Sequence, residues 1–401
     1  MNNDFPITKR LYYNNSHLLE FSAEVLNCKP NKDNWSVILD QTAFYPTGGG
    51  QPFDTGRLGE AQVVDCVDND EHIIHIIDKA ISGTVLGKID PLRRRDHLQQ
   101  HTGQHILSQA FIQVAKAETR GFHLGTNSST IDLEIDQLSP ELIAKAEDLA
   151  NKIVFENRLI NIHLTNEKDK FPLRKDTERE NCIRIIEVEG FDFSPCGGTH
   201  AHQSGEIGLI VIRSIERIKR LWRVEFLCGQ RALLDYRAAH QIAIETAKLF
   251  SAARDKSPEL VIKLQQELKD LQKHNRELLN QVLKAEATNI YNNSTPNSNN
   301  LRIVKATFSR SLDELKTLAQ LLVAQPSIVA LLATTLESPK IIFACSNNID
   351  IDCGKLLSQF CKEFDGRGGG KAEFAQGGLP IGTEFETALE SLVKSLQKSY
   401  E

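Results

Sequence analysis

Two short histidine-containing motifs hold the residues best suited to chemistry. "HTGQH" places His101 and His105 four residues apart, so a helix over this stretch would present both side chains from one face. "DFSPCGGTH" places Cys196 four residues before His200, with glycines between them that let the backbone wrap closely around an ion. Either pair alone could consist of surface or core residues, and Cys196 alone could be a redox thiol. Together, one cysteine and three histidines predict a tetrahedral zinc site.

Other histidines and cysteines lack ligand spacing. His97 lies one turn before His101, where we expect a supporting or solvent-facing residue, and His202 is not needed because the two pairs already supply four donors. The remaining cysteines are scattered and are interpreted as ordinary thiols rather than disulfides. They are Cys28, Cys66, Cys182, Cys228, Cys345, Cys353 and Cys361.

Three consecutive glycines, Gly48, Gly49 and Gly50, lie within "DQTAFYPTGGGQPFDTG". They free the backbone to approach a ligand or another segment closely. The stretch fits no dinucleotide or Walker motif. Spacing alone therefore favours a barrel hairpin over a ligand cradle.

Basic residues occur in two further stretches that could contact phosphate. In "GRGGGKAEFAQGG", Arg367 and Lys371 among glycines indicate either an anion or nucleic-acid backbone contact or a tight structural turn. The run "RSIERIKRLWRVEF" lies close in sequence to the second ligand pair, so phosphate contact is expected there, with a solvated hairpin as the alternative. Its basic residues are Arg213, Arg217, Lys219, Arg220 and Arg223.

The composition sets limits on the class of protein. The 401 residues predict two to four domains, and 40% hydrophobic with 25% charged residues is typical of a globular protein. A net charge of -6 argues against general electrostatic binding of nucleic acid but permits local basic patches. We find no apolar run long enough for a membrane span and no signal peptide. A cytoplasmic location without membrane association is expected.

The chain divides into four predicted regions of an α+β protein. Residues 1–90 hold several short strands, which indicate a small barrel or sandwich. Residues 91–229 begin with a long helix and continue as an α+β domain, and residues 230–291 are helical. A polar linker, 292–300, precedes an α/β domain over 301–401.

The helical region contains a heptad pattern that fits a coiled coil, with a single polar residue at an a position. An antiparallel hairpin with the preceding helix is an equally favoured alternative. The a positions are Val261, Leu268, Asn275 and Val282, and the d positions are Leu264, Leu271, Leu278 and Ala285.

The motifs, taken in order, resemble the AlaX alanyl-tRNA editing proteins, free-standing relatives of the editing domain of alanyl-tRNA synthetase. The resemblance lies in "TAFYPTGGGQPFDTG", "HTGQHILSQAF", "FHLG" followed by "STIDLE", and "DFSPCGGTHAHQSGEIG", and it covers residues 1 to about 228. The helical stretch and "GRGGGKAEFAQGG" resemble the C-terminal region of alanyl-tRNA synthetase, which carries a domain (DHHA1) also found in DHH-type phosphoesterases. The whole chain is thus similar to the large form of AlaX.

The resemblance implies a fold and a reaction. The fold would be an N-terminal β-barrel of the translation-protein type, an α+β editing domain like that shared by threonyl- and alanyl-tRNA synthetases, the helical segment and the C-terminal α/β domain. The reaction would be hydrolysis of the ester joining serine or glycine to tRNA(Ala). The implied partners are that tRNA and a second copy of the chain, bound through the helical and C-terminal regions.

The resemblance also implies residue roles. His101, His105, Cys196 and His200 would bind one Zn²⁺ per chain, which we expect to position the substrate rather than carry hydroxide, because four protein ligands close the coordination sphere. Thr42 matches a threonine implicated in recognising the serine hydroxyl, and Thr47 stands where the motif has an acidic residue. His123 could contact the terminal adenosine or attacking water, or be structural. The expected tRNA contacts are Gly48, Gly49, Gly50, Lys219, Arg220, Arg223, Arg367 and Lys371.

Two alternatives compete with an editing hydrolase. One is a non-catalytic tRNA-binding module with a structural zinc. The other is a phosphoesterase, suggested by the C-terminal glycine motif, but the sequence lacks the Asp-His-His cluster that such enzymes usually need.

Overall fold

A computed structural model describes residues 5–175, 183–334, 336, 339–380, 389, 390, 392, 393 and 396. The chain divides into two units, Met1–Leu249 and Phe250–Glu401. Within the described ranges, no helix has both the length and the apolar character needed to cross a bilayer. Cys182 and most of the predicted C-terminal helix, residues 384–400, lie outside the described residues.

The first unit opens with eight short strands. Six of them close into an antiparallel barrel in the order β2-β3-β7-β6-β5-β8, and β1 pairs in parallel with β4. Side chains alternate between the barrel core and solvent, because successive residues of a strand point to opposite faces. The strands are β1 (Lys9–Arg10), β2 (Glu20–Asn31), β3 (Asn34–Leu39), β4 (Gln41–Thr42), β5 (Gly56–Leu58), β6 (Ala61–Asn69), β7 (His72–Ile77) and β8 (Thr84–Ile89).

An α+β region follows in the same unit. One sheet has the order β14-β15-β10-β9 and another the order β11-β12-β13. The elements are α1 (Pro91–Ala115), β9 (Glu118–Leu124), β10 (Ser129–Glu134), α2 (Pro140–Phe155), β11 (Ile160–Thr165), β12 (Ile183–Val188), β13 (Asp192–Pro195), β14 (Ile210–Ile218), β15 (Leu221–Cys228) and α3 (Gln230–Leu249).

Helix α1 is the central element of this region. Asp90 caps its N-terminus by accepting hydrogen bonds from the backbone N–H groups of Leu92 and Arg93. Most of the following turns are buried, with Ile106 and Phe111 fully inside the core. Helix α2 begins after Ser139, whose side chain accepts a hydrogen bond from the N–H of Leu142. Both faces of α1 therefore pack against other parts of the protein, and this packing fixes the direction of its histidine side chains.

A buried ion pair joins α1 to the barrel. Arg94 donates to Asp54 over 2.5 Å and also to the backbone carbonyl groups of Ser16 and Ala43. Nδ1 of His97 lies 3.6 Å from the same carboxylate. These contacts satisfy the buried charges and give His97 the supporting position that the sequence predicted.

The second unit is a three-layer α/β structure. Its sheet has the order β16-β17-β18-β20-β19, and only the β16–β17 pair is parallel. Every residue of β17 is buried, because helices cover both faces of the sheet. The elements are α4 (Ser257–Asn293), β16 (Arg302–Phe308), α5 (Leu312–Val323), β17 (Ile328–Thr334), β18 (Lys340–Cys345), α6 (Cys353–Glu363), β19 (Arg367–Gly370) and β20 (Phe374–Gly378).

The C-terminal glycine-rich segment is not the loop that the sequence predicted. It forms the antiparallel strands β19 and β20, of which β19 is the edge of the sheet. Arg367 begins β19 and Lys371 lies in the connecting turn, and both are exposed. Glycines in these strands leave room for α6 to pack closely, so the glycine content has a structural cause.

Candidate metal and active site

The two predicted ligand pairs meet in one group, which we call the inner cluster: His101, His105, Cys196 and His200. The three histidines are buried and Cys196 is half-buried. One donor atom from each residue lies within 4.8 Å of all the others. Sγ of Cys196 is 3.4 Å from Nε2 of His101 and 3.3 Å from Nε2 of His200. The spacing argument therefore placed these four side chains together correctly.

The loop that follows β13 brings Cys196 and His200 against α1. A Cβ atom at position 198 would overlap Cε1 of His101, so only glycine lets this backbone pass. The N–H of Gly198 points at Sγ of Cys196, 3.3 Å away. Close approach of the backbone thus explains why a glycine separates the cysteine from the second histidine.

His101 is oriented by Gln51, a residue that sequence reasoning missed. Nδ1 of His101 lies 2.7 Å from Oε1 of Gln51, whose Nε2 donates to Thr199 Oγ1 over 2.9 Å. Because an amide oxygen can only accept, Nδ1 carries the proton and Nε2 is left free to bind a metal. The glutamine directly after the triple glycine was the available signal.

The other two histidines also have a polar neighbour at Nδ1, although Nδ1 of His105 lacks a hydrogen bond of good geometry among the described residues. Nδ1 of His105 lies 3.3 Å from Oδ2 of Asp192, and Nδ1 of His200 is 3.2 Å from the hydroxyl of Thr102. Asp192 is itself anchored by Arg174 over 2.8 Å. Partners at Nδ1 are typical of metal-binding histidines, because they fix the ring and direct Nε2 at the ion.

The electrostatics of the inner cluster favour a thiolate. Burial opposes ionisation of Cys196, but the neighbouring imidazoles of His101 and His200 outweigh it and hold the pKa of the thiol well below its usual range. Burial lowers the pKa of His101 and of His200 from the usual imidazole value, although the Cys196 thiolate opposes this effect. Burial also opposes protonation of His105, yet Asp192 and Cys196 raise the pKa of this ring.

This donor set fits Zn²⁺. A thiolate with imidazole nitrogens is a combination that zinc prefers, and His101 and His200 already present Nε2 to the thiol sulfur. Without a cation, a buried thiolate among three imidazoles would lose solvation without full compensation. The chemistry of the donors therefore supports a bound divalent metal.

The inner cluster lies on the wall of an open cavity of about 1160 Å³. Tyr13, Phe122, Gln104 and Arg184 also line this cavity. The ring of Phe122 lies 5.2 Å from that of His101. Aromatic, amide and cationic groups thus surround the access to the cluster.

Arg184 is a second residue that the sequence did not single out. Its Nη1 donates to the carbonyl groups of Cys196 and Gly198 over 2.8 and 2.9 Å, and its Nε donates to the carbonyl of Tyr13. Nη2 is buried without a hydrogen-bond partner among the described residues. Burial lowers the pKa of Arg184 from its usual value. This guanidinium holds the Cys196 loop, and its Nη2 is an enclosed donor without a partner among the described residues.

Thr42 does not reach the cavity. Its side chain is fully buried in the barrel, where Oγ1 lies 2.9 Å from Nε2 of His75 and accepts a hydrogen bond from the N–H of Phe44. Thr47 is exposed and accepts from the N–H of Phe53. The structure therefore does not place the Thr42 hydroxyl where it could contact a substrate at the inner cluster.

His123 also lies away from the inner cluster. Phe122, the preceding residue of β9, contacts His101, so the alternation of side chains turns His123 to the opposite face of the sheet. The His123 side chain is exposed and does not line the cavity. A direct catalytic role for His123 is not supported by this geometry.

The triple glycine forms part of the cavity and part of a packing contact. Gly48 and Gly49 line the cavity. Gly50 has a φ of 85°, a Cβ there would lie 2.7 Å from the carbonyl oxygen of Phe122, and its own carbonyl accepts from the N–H of Leu124 over 2.9 Å. The hairpin thus docks onto β9, which explains the need for glycine at position 50.

The basic run occupies the β14–β15 hairpin. Arg223 forms two hydrogen bonds with Asp132, and Arg213 lies 3.4 Å from Asp235, so both have protein partners. Lys219 and Arg220 are exposed at the turn. None of the four lines the cavity.

The fold and site define a protein with a barrel, an α+β domain and a Cys-His₃ cluster that opens to a cavity. Residues 183–225, which include Cys196 and His200, match the "Threonyl and Alanyl tRNA synthetase second additional domain" family (tRNA_SAD). Residues 303–398 match the "DHHA1 domain".

Similar proteins extend these matches to nearly the whole chain. Over 98% of its length, the chain is 33% identical to the alanine–tRNA ligase of Methanoregula boonei, of which it covers 44%. Over the same share, it is 28% identical to the "Alanyl-tRNA editing protein AlaX-L" of Pyrococcus horikoshii, which it covers completely (100%). The chain therefore spans less than half the length of the ligase. It contains tRNA_SAD and DHHA1 domains and is related to alanyl-tRNA synthetases and to AlaX-L, which confirms the resemblance read from the motifs.

Proposed function

We propose that this protein is an editing hydrolase that acts in trans on Ser-tRNA(Ala), Gly-tRNA(Ala) or both. The observation that carries the proposal is the inner cluster at the wall of an open cavity. The similarity, along nearly the whole chain, to a protein named for alanyl-tRNA editing supports this proposal.

His101, His105, Cys196 and His200 would hold one Zn²⁺. When bound, zinc supplies a positive charge that polarises or positions the aminoacyl group. The protein supplies the orientation, through the Nδ1 partners Gln51, Asp192 and Thr102.

Arg184 contributes charge stabilisation in this proposal. Ester hydrolysis develops negative charge on the carbonyl oxygen, and a preorganised N–H donor in a dry site stabilises that charge. Nη2 of Arg184 is a buried donor without a partner among the described residues. Nη1 donates to the Cys196 loop and Nε to the carbonyl of Tyr13, so the guanidinium is held in place. In this proposal, Arg184 therefore both holds the loop of Cys196 and stabilises the reacting group.

Gln104 takes the specificity role that the sequence assigned to Thr42. It lies between the two histidines of α1, lines the cavity, and donates from Nε2 to Ser108 over 2.8 Å. Ser108 is held in turn by Thr119 over 2.8 Å. In this proposal, the amide oxygen of Gln104 accepts a hydrogen bond from the serine hydroxyl that alanine lacks.

The tRNA would contact exposed basic residues. Lys219 and Arg220 at the β14–β15 turn, and Arg367 and Lys371 in the glycine-rich β19–β20 hairpin, have the exposure that phosphate binding needs. The proposed domains are a translation-type barrel (1–90), an editing domain (91–229), a helical segment (230–291) and a C-terminal domain (301–401).

A non-catalytic tRNA-binding module with structural zinc is the second candidate function. Four protein ligands form a closed coordination sphere, as in structural zinc sites. Hydrolysis assays separate the two functions, because a structural site would leave the ester intact.

The test is deacylation of Ser-, Gly- and Ala-tRNA(Ala) by the full-length, zinc-loaded protein. We expect the seryl ester, the glycyl ester or both to be cleaved at least about 100-fold faster than the alanyl ester. Binding of all three tRNAs without hydrolysis would instead establish the binding module. Cleavage of Ala-tRNA(Ala) at the same rate would contradict an editing role.

A further inference from the structure

A second group of metal-ligand side chains lies outside the inner cluster. It comprises His17, His202 and Glu206, and we call it the outer cluster. His200 and His202 are separated by one residue, and their side chains serve different clusters: His200 is buried, whereas His202 is exposed. The proposed editing function uses none of the three outer residues.

The donors of the outer cluster are already close together. One ligand atom from each residue lies within 4.8 Å of the others. Nε2 of His17 is 2.8 Å from Oε2 of Glu206, and the rings of His17 and His202 stack with centroids 3.8 Å apart. Two histidines from separate segments thus converge on one carboxylate.

A histidine–glutamate ion pair alone does not account for this arrangement. It would explain His17 and Glu206, but His202 forms no ring hydrogen bond among the described residues, and Nδ1 of His17 is buried without a partner. A metal ion would instead use both rings in their neutral form.

The carboxylate is preorganised for one further bond. Oε1 of Glu206 accepts from the backbone N–H groups of His202 and Gln203, each over 3.2 Å. Oε2 is left to face His17. The position of Glu206 is therefore set by the backbone that carries His202.

We propose that His17, His202 and Glu206 form a second site for a divalent transition-metal ion of the Zn²⁺, Co²⁺ or Ni²⁺ type. Two imidazoles and one carboxylate suit these ions better than Mg²⁺ or Ca²⁺, which prefer oxygen ligands. Solvent would complete the coordination, and the lack of a thiolate makes this site weaker than the inner cluster.

The outer ion would also steady the inner cluster. Ser16, next to His17, accepts a hydrogen bond from the N–H of His200 over 3.2 Å. An ion that ties His17 to His202 therefore clamps the segment that carries the inner ligand. Its expected effect is slower release of the inner metal.

Stepwise addition of Co²⁺ to the metal-free protein tests this proposal, because only a Cys-ligated ion shows a thiolate-to-cobalt absorption band. We expect binding to stop at about two equivalents, with the thiolate band complete after about one. His202→Gln should bind about one equivalent and keep the full thiolate band.

The matched control is His163→Gln. His163 forms an ion pair with Glu187 over 2.7 Å but lacks a third donor, so this variant should retain the stoichiometry of the unaltered protein. The proposal is overturned if the unaltered protein stops at one equivalent, or if His202→Gln still binds as much Co²⁺ as His163→Gln.

Discussion

The amide of Gln51 orients the ring of His101, one of the four proposed metal ligands. Its oxygen lies 2.7 Å from Nδ1 of His101, and its side chain is buried. Replacing it by leucine (Gln51→Leu) leaves Nδ1 without an acceptor and lets the ring turn. We expect the zinc affinity to fall about 10- to 100-fold, measured by competition with a chromophoric chelator.

Gln104→Leu is the matched control for that measurement. Gln104 is also a poorly exposed glutamine near the inner cluster, but its amide bonds to Ser108 rather than to a ligand. Its zinc affinity should be unchanged. Equal losses of affinity in both variants would show that orientation of His101 is not the cause.

Gln104 should instead govern the choice between serine and alanine. Removing its amide takes away one hydrogen bond to the serine hydroxyl, worth about 1 kcal/mol. We expect kcat/KM for Ser-tRNA(Ala) to fall about five- to tenfold in Gln104→Leu, with hydrolysis of Ala-tRNA(Ala) unchanged. A proportional loss for both esters would exclude this specificity role.

At this scale, the sequence predicted that the four candidate ligands lie together, but it did not predict the residues that support them. His101 and His105 could be paired because helical geometry alone brings them together. Gln51, Asp192 and Arg184 act across tertiary contacts, for which a single sequence carries no spacing rule. Thr42 was misplaced for the same reason, because nothing in its motif indicates that its hydroxyl faces into the barrel.

At the scale of elements, strand β7 carries a buried histidine that should make the barrel sensitive to acid. Burial lowers the pKa of His75 from 6.5 to about 4. The unfolded chain therefore binds a proton at His75 near pH 6.5, whereas the folded barrel binds this proton only near pH 4. The contribution of neutral His75 to the free energy of unfolding is fully present above pH 6.5. It decreases as the pH falls towards 4, by at most about 3 kcal/mol.

Urea unfolding at a series of pH values between 4 and 7.5 measures this slope. His75→Gln should be less sensitive to pH across that window than the unaltered protein. His123→Gln, which changes an exposed histidine, should retain the original slope. Identical slopes in all three proteins would refute the role of His75.

The periodicity of apolar residues in the sequence predicted some helices and strands better than others. Alternation and helical period predicted the strands and helices of the second unit well, because both faces of its sheet are covered by apolar packing. The glycine-rich segment at 366–378 was misread as a loop, since glycine favours turns but also allows α6 to pack closely on strands. The sequence did not predict which side of β9 faces the cavity, because Phe122 and His123 do not form a clear alternation of apolar and polar residues.

At the scale of the whole molecule, helix α4 should join two chains. Its predicted a and d residues are exposed, including Leu264 (53%) and Leu271 (65%), whereas Leu283 and Ala287 pack on the C-terminal domain. An apolar stripe of this length on one helix is typical of a coiled coil. We therefore expect a homodimer in solution.

Sedimentation equilibrium tests this expectation. The double variant Leu264→Glu with Leu271→Glu should weaken the dimer about 100-fold or more, because each buried leucine contributes about 1.5 to 3 kcal/mol. Ile262→Glu is the control, since Ile262 is equally exposed (67%) but lies off the stripe. A monomer at all concentrations in the unaltered protein would contradict the prediction.

The rate of Ser-tRNA(Ala) hydrolysis by Cys196→Ala, measured against the unaltered protein and Cys28→Ala, tests the central claim most directly. Cys28 is a half-buried thiol of the barrel, so its loss controls for removal of a cysteine. We predict that Cys196→Ala, folded by circular dichroism, loses at least about 100-fold in rate, while Cys28→Ala keeps its activity. Full hydrolysis by folded Cys196→Ala would show that the inner cluster is not the editing site.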